Sequence, residues 1–201
     1  MSKRVDAALF MAEAARAFYA HGWLMGTSGN LSVRLDADTF LISASGKDKG
    51  ALSVDDFLVC DLDARPTEPT PHKPSAETQV HGVLYRKFSG VGAIFHCHEP
   101  YAALCSSRDA DLSHSRFEGL EMIKGLNIWD EHASVEVPIV PNHADIPALA
   151  KAIGEVAQED VPGVNVLRHG FYAWGAGPFE AKRHVESLAY LYRYSWEWSR
   201  R

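Results

Sequence analysis

The segment Gly92–His98 reads GAIFHCH, an apolar run that ends in two histidines one residue apart. On a strand, residues i and i+2 project to the same side, so His96 and His98 would present two imidazoles together while Cys97 points the other way, into a core. Two imidazoles on one side chelate a first-row divalent ion, and zinc with an open coordination position is the default for such ligands. The same pattern also arises from two polar surface residues, or from a core histidine satisfied by a hydrogen bond. A third imidazole is available at His169, near the end of the apolar run VNVLRHG and followed by a glycine that permits close backbone approach. Alone, His169 reads as a hydrogen-bonded histidine. With His96 and His98 it completes a three-histidine set that leaves room for a substrate.

Two glycine-bearing loops, TSGN (27–30) and SGK (45–47), carry the hydroxyls and backbone N–H groups of anion-binding nests, and Lys47 or Lys49 could add charge. Ser75 opens a helical segment, whose N-terminus also favours phosphate. Taken singly, each of these reads as an ordinary turn. Neither loop is a Walker A or a G-x-G-x-x-G sequence, so nucleotide binding has no support. Glu77 in KPSAET and Glu121 in GLEMIKG are carboxylates of the kind that move a carbon-bound proton beside a metal-bound ketone. Both have plainer readings. Glu77 suits the dipole of a first helical turn, and Lys124 follows Glu121 at ion-pair spacing.

Something must hold these residues. Val5 to Ala20 has helical periodicity, with Gly22 as a stop. LSVRL (31–35) and TFLISA (39–44) flank Asp36-Ala37-Asp38 as a β-hairpin. Ser53 and Asp56 can cap a short turn before a strand at 57–62. Proline-rich Ala64–Pro74 reads as an internal loop. Ser75 to Phe88 reads as a helix with Ser75 as N-cap, 92–98 as a strand, and Pro100 as the first residue of the next helix. Residues 117–126 are ambiguous. A strand at 135–140, a helix from Ile146 to Gln158, a strand pair or one strand and its continuation at 164–170 and 171–175, and a long helix from Pro178 to about Trp198 complete the chain. Strands and helices mix with hairpin signals, which predicts an antiparallel or mixed sheet covered by helices and not a repeated βαβ pattern.

Composition sets the outer bounds. The chain has 201 residues, 46% of them hydrophobic and 23% charged, which suits a globular protein of one domain, at most two small ones, and excludes a disordered chain or a fibre. A formal charge of −6 draws in neither nucleic acid nor anionic membrane, so an anionic substrate must be held by a local pocket. Asp6, Glu13 and Arg16 interrupt the N-terminal apolar run, so neither a signal-peptide core nor a membrane span is expected. Three cysteines, Cys60, Cys97 and Cys105, with no paired spacing, suit a reducing cytoplasm.

The order TSGN, SGK, KPSAET, HCH, EMIKG, RHG and YAWG resembles the class II aldolase/adducin-head family, from about Ala8 to about Tyr190. SGKDKG, KPSAET and EMIKG are similar in particular to its methylthioribulose-1-phosphate dehydratase branch. The histidine set is common to sugar-phosphate aldolases and epimerases. The resemblance implies a single three-layer αβα catalytic domain spanning 1–201, with a mostly antiparallel central sheet. It implies one zinc ion per chain on His96, His98 and His169. Thr27, Gly29, Asn30, Ser45, Gly46, Lys47 and Ser75 would hold a phosphate. Glu121 would be the acid/base, and Glu77 the carboxylate that aldolase relatives use near the metal. It also implies a homotetramer with active sites near subunit interfaces, acting on a small sugar phosphate as a hydro-lyase of methionine salvage. An aldolase or epimerase on the same fold is the first alternative. A non-catalytic module like the adducin head is the second, though such modules lose the metal ligands. His72 has no assigned role. His81, His114, His132, His143 and His184 match no ligand motif and read as structural, and Trp196 and Trp198 read as packing or interface residues.

Overall fold

The structure, a computed structural model, describes residues 2–201. Eight strands form one sheet: β1 Asn30–Arg34, β2 Thr39–Ser43, β3 Phe57–Asp61, β4 Ala93–Cys97, β5 His114–Glu118, β6 Ser134–Val140, β7 Gly163–Val166 and β8 Gly170–Gly175. Their order is β3-β2-β1-β4-β8-β7-β6-β5. Every neighbouring pair is antiparallel except β6–β7. A parallel pair needs a crossover, and helix α4, Ile146–Val156, supplies it. The sheet is therefore mixed but mostly antiparallel.

Two apolar layers follow from the alternation of side chains along the strands. One face carries Leu31, Val33, Ala93, Phe95 and Cys97 against α1 (Lys3–Ala20), α3 (Pro100–Arg108) and α5 (Pro178–Trp198). The other carries Phe40, Ile42, Ile94, Tyr172 and Trp174 against α2 (Thr78–Lys87) and α4. His96 lies on the second face by the same alternation, at the end of β4. The register sets Asn30 on one side of it and Tyr172 on the other.

Local chemistry explains most element ends. Ser2 Oγ accepts from Val5 N at the start of α1, and Gly22 turns the chain beyond its end with φ +80°. Asp36 Oδ1 accepts from the backbone of Asp38 and Thr39 in the β1–β2 hairpin. Ser53 and Asp56 form the expected capping box. Two expectations are revised. Helix α2 begins at Thr78, not Ser75, because Ser75 Oγ accepts from Glu77 N and its carbonyl from Thr78 N. That closes 75–78 into a separate turn. The ambiguous stretch 117–126 divides into the end of edge strand β5 and a 3-10 turn at Glu121–Leu126.

Candidate active site

Gly170, which starts β8, lies so close to β4 that a Cβ there would stand 2.1 Å from the Cys97 carbonyl oxygen. The turn before it is tied down: Arg168 adopts φ 57°, its N–H donates to Ser106 Oγ, and His169 N donates to Val166 O. The result sets His169 against the histidines at the end of β4. His98 lies just past the end of β4, and its N–H donates to Trp23 O. Its Nε2 is 3.1 Å from that of His96 and 2.9 Å from that of His169. Glu77 closes the group, with Oε2 3.6 Å from His96 Nε2 and Oε1 3.4 Å from His169 Nε2. These four ligand atoms all lie within 4.8 Å of one another.

The donor set fits a divalent cation. His96 Nδ1 donates to Phe171 O at 3.0 Å, so its neutral ring turns a bare lone pair at Nε2 toward the others. Burial, with the neighbouring His169 second, pushes its pKa down to about 3. Burial again, with His96 and His169 behind it, brings His98 to about 3. His96 and His98, both held neutral, bring their Nε2 atoms together with that of His169, where a single ion could be shared by all three. Zinc bonds of about 2.0–2.1 Å place tetrahedral ligand atoms about 3.3 Å apart, close to the spacings seen. Tyr172 stacks on His96 with centroids 4.1 Å apart and an 11° tilt, which fixes the ring plane. His169 Nδ1 is buried without a protein partner among the described residues.

The two glycine loops and the turn at Ser75 converge beside this cluster. A cavity of about 120 Å³ is lined by Thr27, Gly29, Asn30, Ser45, Gly46 and Ser75, with Ser28, Ser43, Ala44, Lys49, Glu77 and His98 completing the wall. Gly29 holds φ +70°, and a Cβ there would stand 2.6 Å from His96 O, so only glycine lets the first loop come so close to β4. Lys47 is not among the lining residues and pairs with Asp56 at 2.8 Å. The lysine on the cavity wall is Lys49, 1% exposed, whose ammonium donates to the carbonyls of Thr27 and Lys47 at 3.0 Å each. Burial lowers its pKa.

Glu121 is placed elsewhere. Its side chain is 84% exposed and pairs with Lys124 at 2.8 Å. The turn that carries it ends at Asn127, which donates to Glu180 Oε1, and Glu180 in turn accepts from Ala176 N just beyond β8. His169 precedes the opposite end of that strand, about 17 Å away for six residues. Of the other histidines, His72 hydrogen-bonds the Asp55 carbonyl, and His184 Nδ1 donates to Trp174 O. His81 lies fully buried behind Glu77, bonded to Ser32 and Asn30, and burial pushes its pKa down to about 3. Its position four residues after Glu77 was the only sequence signal of that proximity.

The profile of the Class II Aldolase and Adducin N-terminal domain matches residues 10–196. The chain belongs to this family. Within the family it is 42% identical, over 88% of its length and 82% of the relative's, to a protein of Persephonella marina named methylthioribulose-1-phosphate dehydratase. It is also 42% identical to a Bacillus subtilis protein of the same name, with 92% and 89% covered. A solved L-fuculose-1-phosphate aldolase from Thermus thermophilus is 27% identical, with a TM-score of 0.75 and both chains fully covered. The class II aldolase-like α/β fold is thus that of this chain. No helix among its described residues is long and apolar enough to cross a membrane.

Proposed function

We propose that this chain is a metal-dependent hydro-lyase of methionine salvage, which dehydrates 5-methylthioribulose 1-phosphate to 2,3-diketo-5-methylthiopentyl 1-phosphate. One observation carries the reading: the His96, His98, His169 and Glu77 cluster opens directly onto the cavity built from Thr27, Ser45 and Ser75. A metal-ligating group beside an anion-binding pocket is what a phosphorylated ketose requires, and the relatives named for this reaction cover most of the chain.

A bound zinc ion would supply Lewis acidity at the C2 ketone oxygen, which makes the C3 proton easier to remove. The chain does the rest. Thr27, Gly29, Asn30, Ser45, Gly46 and Ser75 hold the phosphate, with Lys49 in the charge role expected of Lys47. That remote binding places C3 and C4 for reaction. Glu121 takes the C3 proton and returns one to the departing C4 hydroxyl, so that water leaves. Since Glu121 is exposed and remote from its own chain's histidines, it serves the site of a neighbouring copy in a homotetramer. Glu77 stays with the histidines as a further ligand or secondary base. The three free, buried cysteines suit a reducing cytoplasm.

The presence of Glu77 among the histidines favours one second reading, a sugar-phosphate aldolase that uses this carboxylate. Zinc-loaded protein incubated with 5-methylthioribulose 1-phosphate decides between them. Loss of one water by mass supports the dehydratase, cleavage into two carbonyl fragments the aldolase, and an isomer of equal mass an epimerase. In the dehydratase, Glu121→Gln lowers turnover by roughly 100-fold or more, and Glu77→Gln does less harm. The reverse order would transfer the base role to Glu77.

A further inference from the structure

Behind Glu77 runs a buried polar chain of which the proposed reaction uses only Asn30. Asn30 Nδ2 is 2.9 Å from Glu77 Oε2, and Asn30 Oδ1 bonds His81 Nε2. His81 Nδ1 is 2.7 Å from Ser32 Oγ, which is 2.8 Å from the Tyr85 hydroxyl. Asn30, Ser32, His81 and Tyr85 are each no more than 2% exposed. The direction of every link is set by the one before. Asn30 donates its NH2 group to Glu77 Oε2, which accepts. Its carbonyl is then left to accept from His81, which must carry its proton on Nε2. Nδ1 accordingly accepts from the Ser32 hydroxyl, whose oxygen accepts from Tyr85.

We infer that His81 is a positioning residue for Glu77: its Nε2–H tautomer locks the Asn30 amide with NH2 toward the carboxylate, so Glu77 is held oriented toward the three imidazoles. Without that donor, the Asn30 carbonyl is buried and unpartnered, and the amide is free to turn its oxygen against Glu77. Groups that orient a metal site from behind typically cost ten- to a hundredfold in affinity or activity when removed. The inference rests on reading Glu77 as part of the metal site, and it does not depend on which sugar phosphate is turned over.

Long-range ¹⁵N–¹H correlation spectra of the zinc-loaded protein read the tautomer directly. Protonated Nε2 and bare Nδ1 on His81 are expected, and a proton on Nδ1 would overturn the inference. Zinc affinity, measured by chelator competition, gives a second readout. His81→Phe keeps the ring bulk without the donor and should weaken zinc binding about tenfold or more. His81→Gln, which can still offer an N–H to Asn30, should recover most of it. In a Glu77→Gln background, His81→Phe should add little, because its effect runs through that carboxylate. An equal loss in both backgrounds, or no loss at all, would reduce His81 to core packing. If His81→Phe does not fold, the wild-type tautomer decides alone. A wild-type protein that binds zinc with the expected tautomer yet releases no water would sink the dehydratase reading and leave this one standing.

Discussion

Two lysines two residues apart have different surroundings beside the cavity next to the histidines. Lys47 hydrogen-bonds Asp56, and chiefly for that reason the Asp56 carboxyl is held down to about 2. A carboxyl depressed in the folded state adds stability above its ordinary value of 3.8, and that stability is lost as pH falls from there toward about 2. Asp56→Asn should therefore cost about 0.5–1 kcal/mol at pH 7, as a partly exposed pair does. In urea titrations its deficit should close as the pH approaches 2, and a deficit unchanged across that window would dissolve the pair's role. Lys49 instead lines the cavity and ties the two glycine loops together through the Thr27 and Lys47 carbonyls. A charge-assisted hydrogen bond is worth about 1.5–3 kcal/mol, so Lys49→Met should raise KM for the phosphorylated substrate about tenfold or more. Lys47→Met should leave it within about twofold. Equal effects would return Lys47 to the site. The three histidines and the glycine loops were legible because strand alternation and turn chemistry are local rules. Which lysine faces inward was not, since loops have no periodicity to point a side chain.

At the level of elements, the strands were legible where apolar alternation was strong, as in β1, β2, β4 and β8. Edge strand β5 was not: it carries His114, Arg116 and Glu118 on its outward positions and buries only Ser115 and Phe117, so its apolar signal is one residue deep. The start of α2 was misplaced for a different reason. Ser75 satisfies a turn and not the helix, which frees the turn to face the cavity while Glu77, the true N-cap, faces the histidines. The contact between the β7–β8 turn and the end of β4 is the most demanding junction. A methyl at Gly170 would lie 2.1 Å from Cys97 O and 2.9 Å from His98 Cα, both backbone atoms that cannot step aside. Gly170→Ala should push the start of β8 off β4 and separate His169 from His98. Zinc affinity should fall by roughly tenfold or more, together with a lowered melting temperature. A variant that kept wild-type zinc affinity would mean the turn relaxes without moving His169.

Across the whole molecule, each sheet face has its own covered core, yet a row of large apolar groups is left outside. Tyr190, Tyr194 and Trp198 recur at four-residue spacing along α5 and stack in sequence, with ring centroids 6.4 and 6.0 Å apart. They are 48, 38 and 59% exposed, and Phe179 and Trp129 are more exposed still. A contiguous aromatic face of this kind marks an association surface more often than a solvated one. A homotetramer would cover it, and on the reading proposed above it is also what would bring the exposed Glu121 of one copy to the histidines of another. The two ideas can be tested together. Tyr194→Glu combined with Trp198→Glu puts like charges into the covered face and should shift the mass seen by light scattering toward smaller species. Zinc affinity per chain should stay within about twofold, because all four residues of the cluster come from one chain and none is substituted. Turnover should fall with the oligomer, since on the proposed reading the dissociated chain lacks its neighbour's Glu121. A dissociated variant with full turnover would show that each chain is complete by itself, and the acid/base role would then pass to Glu77. A variant of unchanged mass would mean that α5's aromatic face is not where the copies meet.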